Sequence, residues 1–93
     1  MSESFEWDEA KNAENQAKHG ISFEEAQQAF ADPQRRIIRD LEHSETEERW
    51  FCLGQLERGI LTVRFTYRGP QIRIFGAGFW RRGKKRYEQK RTG

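Results

Sequence analysis

The chain has 93 residues and a mass of 11.1 kDa, which is room for one compact domain and excludes a multidomain enzyme. Its net charge of +2 is unevenly divided, because residues 1–48 hold 5 Lys/Arg against 13 Asp/Glu and residues 49–93 hold 12 against 2. One cysteine and two histidines argue against a four-ligand zinc site, and no apolar run approaches the roughly 20 residues of a membrane span. We therefore expect a cytoplasmic protein with no cofactor, no metal and no membrane contact.

Two helices are predicted in the acidic half. The first covers residues 8–19, because Asp8 can cap its start and Gly20 suits its end. Its apolar stripe is formed by Ala10, Ala13 and Ala17.

The second helix is predicted over residues 23–31. It starts after a capping box in which Ser22 and Glu25 satisfy each other's backbone amides, and it stops before Pro33.

Four strands are predicted next, over residues 35–40, 49–56, 60–68 and 71–77. If Gly69-Pro70 is a two-residue loop, the last two strands form a hairpin with one apolar face. The register then pairs Tyr67 with Ile72, Phe65 with Ile74 and Val63 with Gly76. The other face pairs Thr66 with Arg73 and Arg64 with Phe75.

The basic half is typical of a polyanion-binding surface. Cations displace counterions from phosphates, and aromatic rings stack on unpaired bases. A short helix is predicted near residues 82–91, within the cation-rich tail. The expected RNA contacts are Phe75, Arg82, Lys84 and Lys85. The alternative is a solvated basic face without a nucleic-acid role.

His43 lies among several acidic residues: Asp40, Glu42, Glu45, Glu47 and Glu48. A carboxylate could orient His43 as a general base, or the acidic side chains could form a magnesium site, although loops of this composition are usually only hydrated.

An ordered series of short motifs resembles the BrnT toxin family over residues 5–90. The matching residues are Phe5-Glu6-Trp7-Asp8, Lys11, Asn15, Lys18-His19-Gly20-Ile21, Phe23-Glu24-Glu25-Ala26, Phe30, Asp32-Pro33, His43-Ser44-Glu45, Glu47-Glu48-Arg49, Gly54, Ile72-Arg73-Ile74 and Tyr87-Glu88.

The resemblance implies that residues 1–93 form a single BrnT-like toxin domain, a RelE-like ribonuclease toxin of a type II toxin–antitoxin module. The implied partner is a BrnA-like ribbon-helix-helix antitoxin, which binds as two toxins with two antitoxins and contacts the operator DNA. One departure lies at Gly76-Ala77-Gly78, where many family members read Ser-Ala-Arg. Arg81 or Arg82 is the candidate to replace that arginine.

The expected fold is α+β, with two N-terminal helices packed on an antiparallel sheet of three to four strands and a short C-terminal helix. The expected chemistry is metal-independent RNA cleavage, in which a 2′-hydroxyl attacks the adjacent phosphate and cations stabilise the developing charge. Arg64, Arg73 and Arg81 are the predicted phosphate ligands, and Tyr87, His43 or a lysine moves the protons. The competing hypothesis is a noncatalytic binding module for nucleic acid or an acidic protein.

Overall fold

The computed structural model describes residues 4–43 and 46–89. The chain begins with strand β1 (Ser4–Trp7), helix α1 (Glu9–His19) and helix α2 (Phe23–Ala26), which continues as a 3-10 helix (Gln27–Ala31). Four strands follow: β2 (Arg36–Arg39), β3 (Trp50–Leu56), β4 (Gly59–Arg68) and β5 (Gln71–Gly78). Helix α3 (Arg81–Glu88) ends the described part of the chain.

The five strands form one mixed sheet in the order β1-β5-β4-β3-β2. The α+β class is confirmed, but the prediction of an antiparallel sheet of three to four strands is wrong. β1 adds a fifth strand and pairs in parallel with β5. Sequence periodicity missed β1 because it has only four residues and its partner lies 67 positions away, with Ser4 beside Gln71.

Helix α1 has the predicted caps but a different inward face. The Asp8 carboxylate accepts the Ala10 and Lys11 amides, and Gly20 adopts the left-handed conformation with φ 67°. The alanine stripe is exposed, whereas Asn12 and Asn15 are buried. The predicted alanine stripe is wrong because the inward side of α1 faces backbone polar groups, which asparagine side chains can bind and alanine side chains cannot.

The two asparagines join α1 to its neighbours by hydrogen bonds. Asn12 Oδ1 accepts the Phe23 amide at 2.8 Å. Asn15 Nδ2 donates to the Ile21 and Ala77 carbonyls, both at 2.9 Å, and Asn15 Oδ1 accepts the Ala77 amide at 3.1 Å. The buried side-chain amide of Asn15, with three hydrogen bonds to backbone groups, fixes α1 against β5.

The capping box at Ser22 and Glu25 is present, but the second helix does not run as one α-helix to residue 31. It tightens into a 3-10 helix after Ala26, where the chain passes over β3 at very short range. A Cβ placed on Gly54 would lie 2.3 Å from the Ala29 carbonyl oxygen. Glycine at position 54 permits this close approach.

The core lies between the N-terminal helices and one face of the sheet. Phe30 connects the two layers, because its ring lies 5.2 Å from that of Phe5 and 5.1 Å from that of Phe65. Cys52 is fully buried in the same cluster. Large rings supply much of the buried area, as the composition predicted.

The β4–β5 hairpin has the predicted register near its turn and a bulge further along. Tyr67 pairs with Ile72, Phe65 with Ile74 and Thr66 with Arg73, as expected. Beyond a register shift, Arg64 pairs with Gly76 and Val63 with Ala77. The predicted pairings of Val63 with Gly76 and of Arg64 with Phe75 are wrong because Phe75 is an extra residue on β5.

Helix α3 covers part of the second face of the sheet, the face turned away from α1 and α2. Gly83 is buried there, and a Cβ on it would lie 1.9 Å from Thr62 Oγ1 and 3.2 Å from Leu53 Cδ2. The predicted helix 82–91 begins one residue earlier, at Arg81; its predicted end, Lys90 and Arg91, lies outside the described residues.

Candidate functional site

The second face divides into a half covered by α3 and an open half. Strand pairing places Leu53 and Thr62 beneath α3. Two residues further along β4, Arg64 emerges on the same face, because side chains alternate along a strand. The open half carries a cluster that we call the basic patch: Arg49, Arg64, Arg73 and Phe75.

Arg64 lies at the centre of the basic patch, opposite Phe51 on β3 and Gly76 on β5. Its side chain is partly exposed and makes no hydrogen bond or ion pair with any residue in 4–43 or 46–89. A Cβ on Gly76 would lie 3.9 Å from Arg64 Cδ, so glycine at position 76 leaves this side chain uncovered. Arg64 is therefore a cation whose donors are available to an external anion.

Arg73 differs from Arg64 because it already has a carboxylate partner. Its Nη1 donates to Glu6 Oε2 at 2.5 Å, and the two residues are register neighbours on β5 and β1. Both side chains are only about a quarter exposed, at 25% and 28%. The pair fixes Arg73 at the edge of the basic patch and neutralises part of its charge.

Phe75 is the bulge residue, and its ring holds two cations from separate elements. The Arg49 guanidinium lies 4.4 Å from the ring centroid, and Lys11 Nζ lies 5.8 Å from it. Arg49 also lies 3.8 Å from a Glu47 carboxylate oxygen. The bulge thus places an aromatic ring where it positions cations beside Arg64.

His43 is held by a buried carboxylate at the edge of the same face. Asp40 is 5% exposed, and its Oδ2 lies 2.9 Å from His43 Nδ1. The Asp40 amide donates to the Arg49 carbonyl at 2.8 Å, which extends the β2–β3 pairing by one residue. His43, whose side chain is 49% exposed, therefore has one ring nitrogen held by a carboxylate whose backbone pairs with that of Arg49.

The four tail cations predicted to contact RNA lie on different sides of α3: Arg81, Arg82, Lys84 and Lys85. Arg81 and Lys84 line a cleft on the side facing the β3–β4 turn. Helix periodicity of about 100° per residue places Arg82 on the opposite side from Lys84, with Lys85 on the exposed crest. The structure therefore does not bring Arg81 and Lys84 into the basic patch.

Tyr87 lies at the other end of α3 and donates to Asp32 Oδ2 at 2.6 Å. Asp32 Oδ2 also accepts the Gln55 amide at 2.7 Å. Gln55 is four residues from Phe51, the partner of Arg64, which corresponds to about 13 Å along β3. Tyr87 is thus hydrogen-bonded to Asp32, and the structure does not bring it next to Arg64.

The pKa of Asp32 is lowered by this arrangement. Burial raises the pKa, but the hydrogen bonds from Tyr87, Gln55 and Gln34 and the nearby charge of Arg35 outweigh it.

The departure at residues 76–78 has a steric counterpart in Trp80. A Cβ on Gly78 would lie 2.6 Å from two atoms of the Trp80 ring. Trp80, rather than Arg81 or Arg82, occupies the space over Gly78, so a side chain at position 78 would displace it.

In the described part of the chain, no group of three or more His, Cys, Asp or Glu side chains is arranged to hold a metal ion. Among the same residues, no helix has the length and apolar character required to cross a membrane.

The family of the chain follows from a comparison with protein-family models. Residues 7–84 match the model of the ribonuclease toxin BrnT of type II toxin–antitoxin systems. The chain belongs to the BrnT toxin family. A search of curated proteins found no match. The BrnT match runs from Trp7, the last residue of β1, to Lys84, halfway along α3, and includes every residue of the basic patch.

Sequence reasoning missed two contributors to this candidate site, Arg49 and Asp40. Arg49 was noted only as part of a motif, and Asp40 only as one acid among several. The usable signal was their position at the two ends of the β2–β3 connection, where hairpin pairing brings them together.

Proposed function

We propose that this chain is an endoribonuclease toxin that cleaves RNA at the basic patch without a metal ion. The observation that carries the proposal is Arg64, a partly exposed arginine with no partner in the described residues, flanked by Phe75 and by two further arginines. Membership of a family of ribonuclease toxins supports the same reaction.

The reaction we propose is attack of a ribose 2′-oxygen on the adjacent phosphorus, with departure of the 5′-oxygen of the next nucleotide. The products are a 2′,3′-cyclic phosphate and a 5′-hydroxyl. Negative charge grows on the phosphate oxygens during attack, and a planar guanidinium with several donors stabilises it. Arg64 takes this role, with Arg49 and Arg73 positioning the flanking phosphates.

His43 is our choice for proton transfer. Asp40 holds Nδ1 and so orients the ring, which leaves Nε2 to accept the 2′-hydroxyl proton or to supply one to the leaving oxygen. Tyr87 and Arg81 stay predictions for proton transfer and phosphate stabilisation, and single alanine variants in the same assay test them.

The partner we infer is a ribbon-helix-helix antitoxin resembling BrnA, in a complex of two toxins and two antitoxins that contacts operator DNA. A type II family implies a protein antitoxin, and the resemblance supplies its type and stoichiometry. We further propose a RelE-like fold relationship and action in the cytoplasm.

The test is an RNA-cleavage assay with purified chain, freed of antitoxin, in excess chelator. We expect cleavage to persist, and Arg64→Ala to lower kcat by about 100-fold, as loss of one transition-state donor typically does. The control is Arg39→Ala, which removes a more exposed arginine, at 47%, whose strand pairing places it on the opposite face of the sheet. Circular dichroism confirms that both variants fold.

Three results would contradict the proposal. One is cleavage that requires a divalent metal, another is an Arg64→Ala variant that cleaves like the parent, and the third is cleavage of RNA that carries 2′-O-methyl groups throughout. A folded chain that binds RNA or the antitoxin but never cleaves would favour the noncatalytic binding module.

A further inference from the structure

A second cationic surface lies on the other side of α3 from the basic patch. It is an open cleft between α3 and the β3–β4 turn, which we call the α3 cleft: Arg58, Phe79, Trp80, Arg81, Lys84 and Glu88 line it. The three cations outnumber the one lining carboxylate, so the α3 cleft is a favourable place for an anion.

Arg58 is held rigidly at one wall of the α3 cleft. Its Nη2 donates to the Gly20 carbonyl at 3.0 Å, and its Nη1 lies 3.6 Å from a Glu25 carboxylate oxygen. The guanidinium lies 4.9 Å from the Phe79 ring centroid. Since 51% of the Arg58 side chain stays exposed, one side of this fixed plane is available for stacking on a base.

Arg81 and Lys84 form the opposite wall and differ from Arg58 in having no fixed partner. Neither side chain makes a hydrogen bond or ion pair within residues 4–43 and 46–89. Lys84 lies one helical turn before Glu88, yet the two are not within ion-pair distance. Two cations without a described partner, opposite a stacking plane, suit a phosphate backbone with an unpaired base beside it.

The α3 cleft connects to the basic patch over the crest of α3. Arg82 and Lys85 are exposed there, and their side chains are also without a partner among the described residues. Ile60, at the floor of the cleft, and Arg64 are four residues apart on β4, which corresponds to about 13 Å. A flexible single strand can therefore reach both surfaces.

We propose that the α3 cleft binds a single-stranded segment of RNA beyond the cleaved phosphate, stacking a base on Arg58 and contacting phosphates through Arg81 and Lys84. This inference rests on the proposed function for the identity of the ligand. It adds a binding surface that acts on affinity, whereas the basic patch acts on chemistry.

The test is fluorescence anisotropy with a single-stranded oligonucleotide that carries 2′-O-methyl groups throughout, which cannot be cleaved. We expect the double variant Arg81→Ala/Lys84→Ala to bind about tenfold more weakly, and the slope of log affinity against log salt to fall by about 1.4, since each phosphate contact contributes about 0.7. Arg39→Ala is the control and should retain the parent slope. With cleavable RNA, the double variant should raise KM more than it lowers kcat.

The outcomes separate this inference from the proposed function. If Arg64→Ala stops cleavage and the double variant binds like the parent, the basic patch stands and the RNA site in the α3 cleft is wrong. If the chain never cleaves and the double variant still weakens binding, the cleft inference stands without the enzyme. If the double variant loses antitoxin binding but keeps RNA affinity, the cleft holds a protein and the inference is overturned.

Discussion

The two halves of the second sheet face are built from the same strands and differ in what lies over them. In the covered half, Leu53 and Thr62 are buried because Gly83 lets α3 approach to contact distance. The open half begins two residues further along β4, where Arg64 makes no hydrogen bond or ion pair with the described residues. A short helix with one glycine therefore decides which half of this sheet face is covered and which half is open.

The largest expected effect is on the covered half. Gly83→Ala should lower the free energy of unfolding by about 2 kcal/mol, because overpacking at Thr62 outweighs the better helix propensity of alanine. Urea denaturation measures the change.

Thr62→Ala is the matched second variant for Gly83→Ala. It removes Oγ1, a buried atom without a hydrogen-bond partner in the described structure, and opens space for the new Cβ. The double variant should recover most of the loss, whereas simple additivity would show that the clash is elsewhere.

A smaller effect is expected where α3 ends. Tyr87→Phe should cost about 1 kcal/mol at neutral pH, because the Asp32 carboxylate loses one donor. The lowered pKa of Asp32 fixes the sign of the pH dependence: its contribution is present above the unfolded pKa near 4 and disappears as pH falls through the folded pKa.

Denaturation of parent and Tyr87→Phe at neutral and at strongly acidic pH tests this sign. The difference between them should shrink in acid. A difference that stays constant down to pH 2 would show that Tyr87 acts through packing alone. In an Asp32→Asn background the effect of Tyr87→Phe should no longer depend on pH.

The smallest expected effect is on the open half, and it has the opposite direction. Glu6→Gln removes the carboxylate that neutralises Arg73, so uncleavable RNA should bind about threefold more tightly and the salt slope should steepen by about 0.7. Glu14→Gln, an exposed acid on α1, is the control. Weaker binding by Glu6→Gln would indicate that Arg73 needs its carboxylate to stay in position.

The comparison also shows what sequence patterns could and could not predict. Alternation along β4 and β5 predicted the pairing of Phe65 with Ile74 because both strands are local and joined by a short turn. It could not predict the bulge at Phe75, because no local pattern marks an extra residue. The sequence pattern also predicted the wrong buried face of α1. Asn12 and Asn15 are buried because they bind backbone groups that come close to α1 only in the tertiary structure.

The candidate site shows the same limit. Charge asymmetry and strand alternation correctly brought Arg64, Arg73 and Phe75 to one face. They gave no basis for the Glu6–Arg73 pair, which depends on a parallel strand from the start of the chain. Helix periodicity in the tail likewise could not indicate that Arg81 and Lys84 face a cleft.

The bulge in β5 has a consequence for how this family can change length. Before it, the even-numbered Ile72 and Ile74 face the core; after it, the odd-numbered Ala77 does, so the bulge shifts the phase of the strand by one residue. Deleting Phe75 itself would restore unbroken alternation with Ala77 still opposite Val63 and Gly78 still opposite Thr62. It would remove the ring that lies against Arg49 and Lys11. Position 75 can therefore lose a residue without changing which side chains of β5 face the core, whereas a deletion elsewhere in β5 would turn the side chains that follow it to the opposite face.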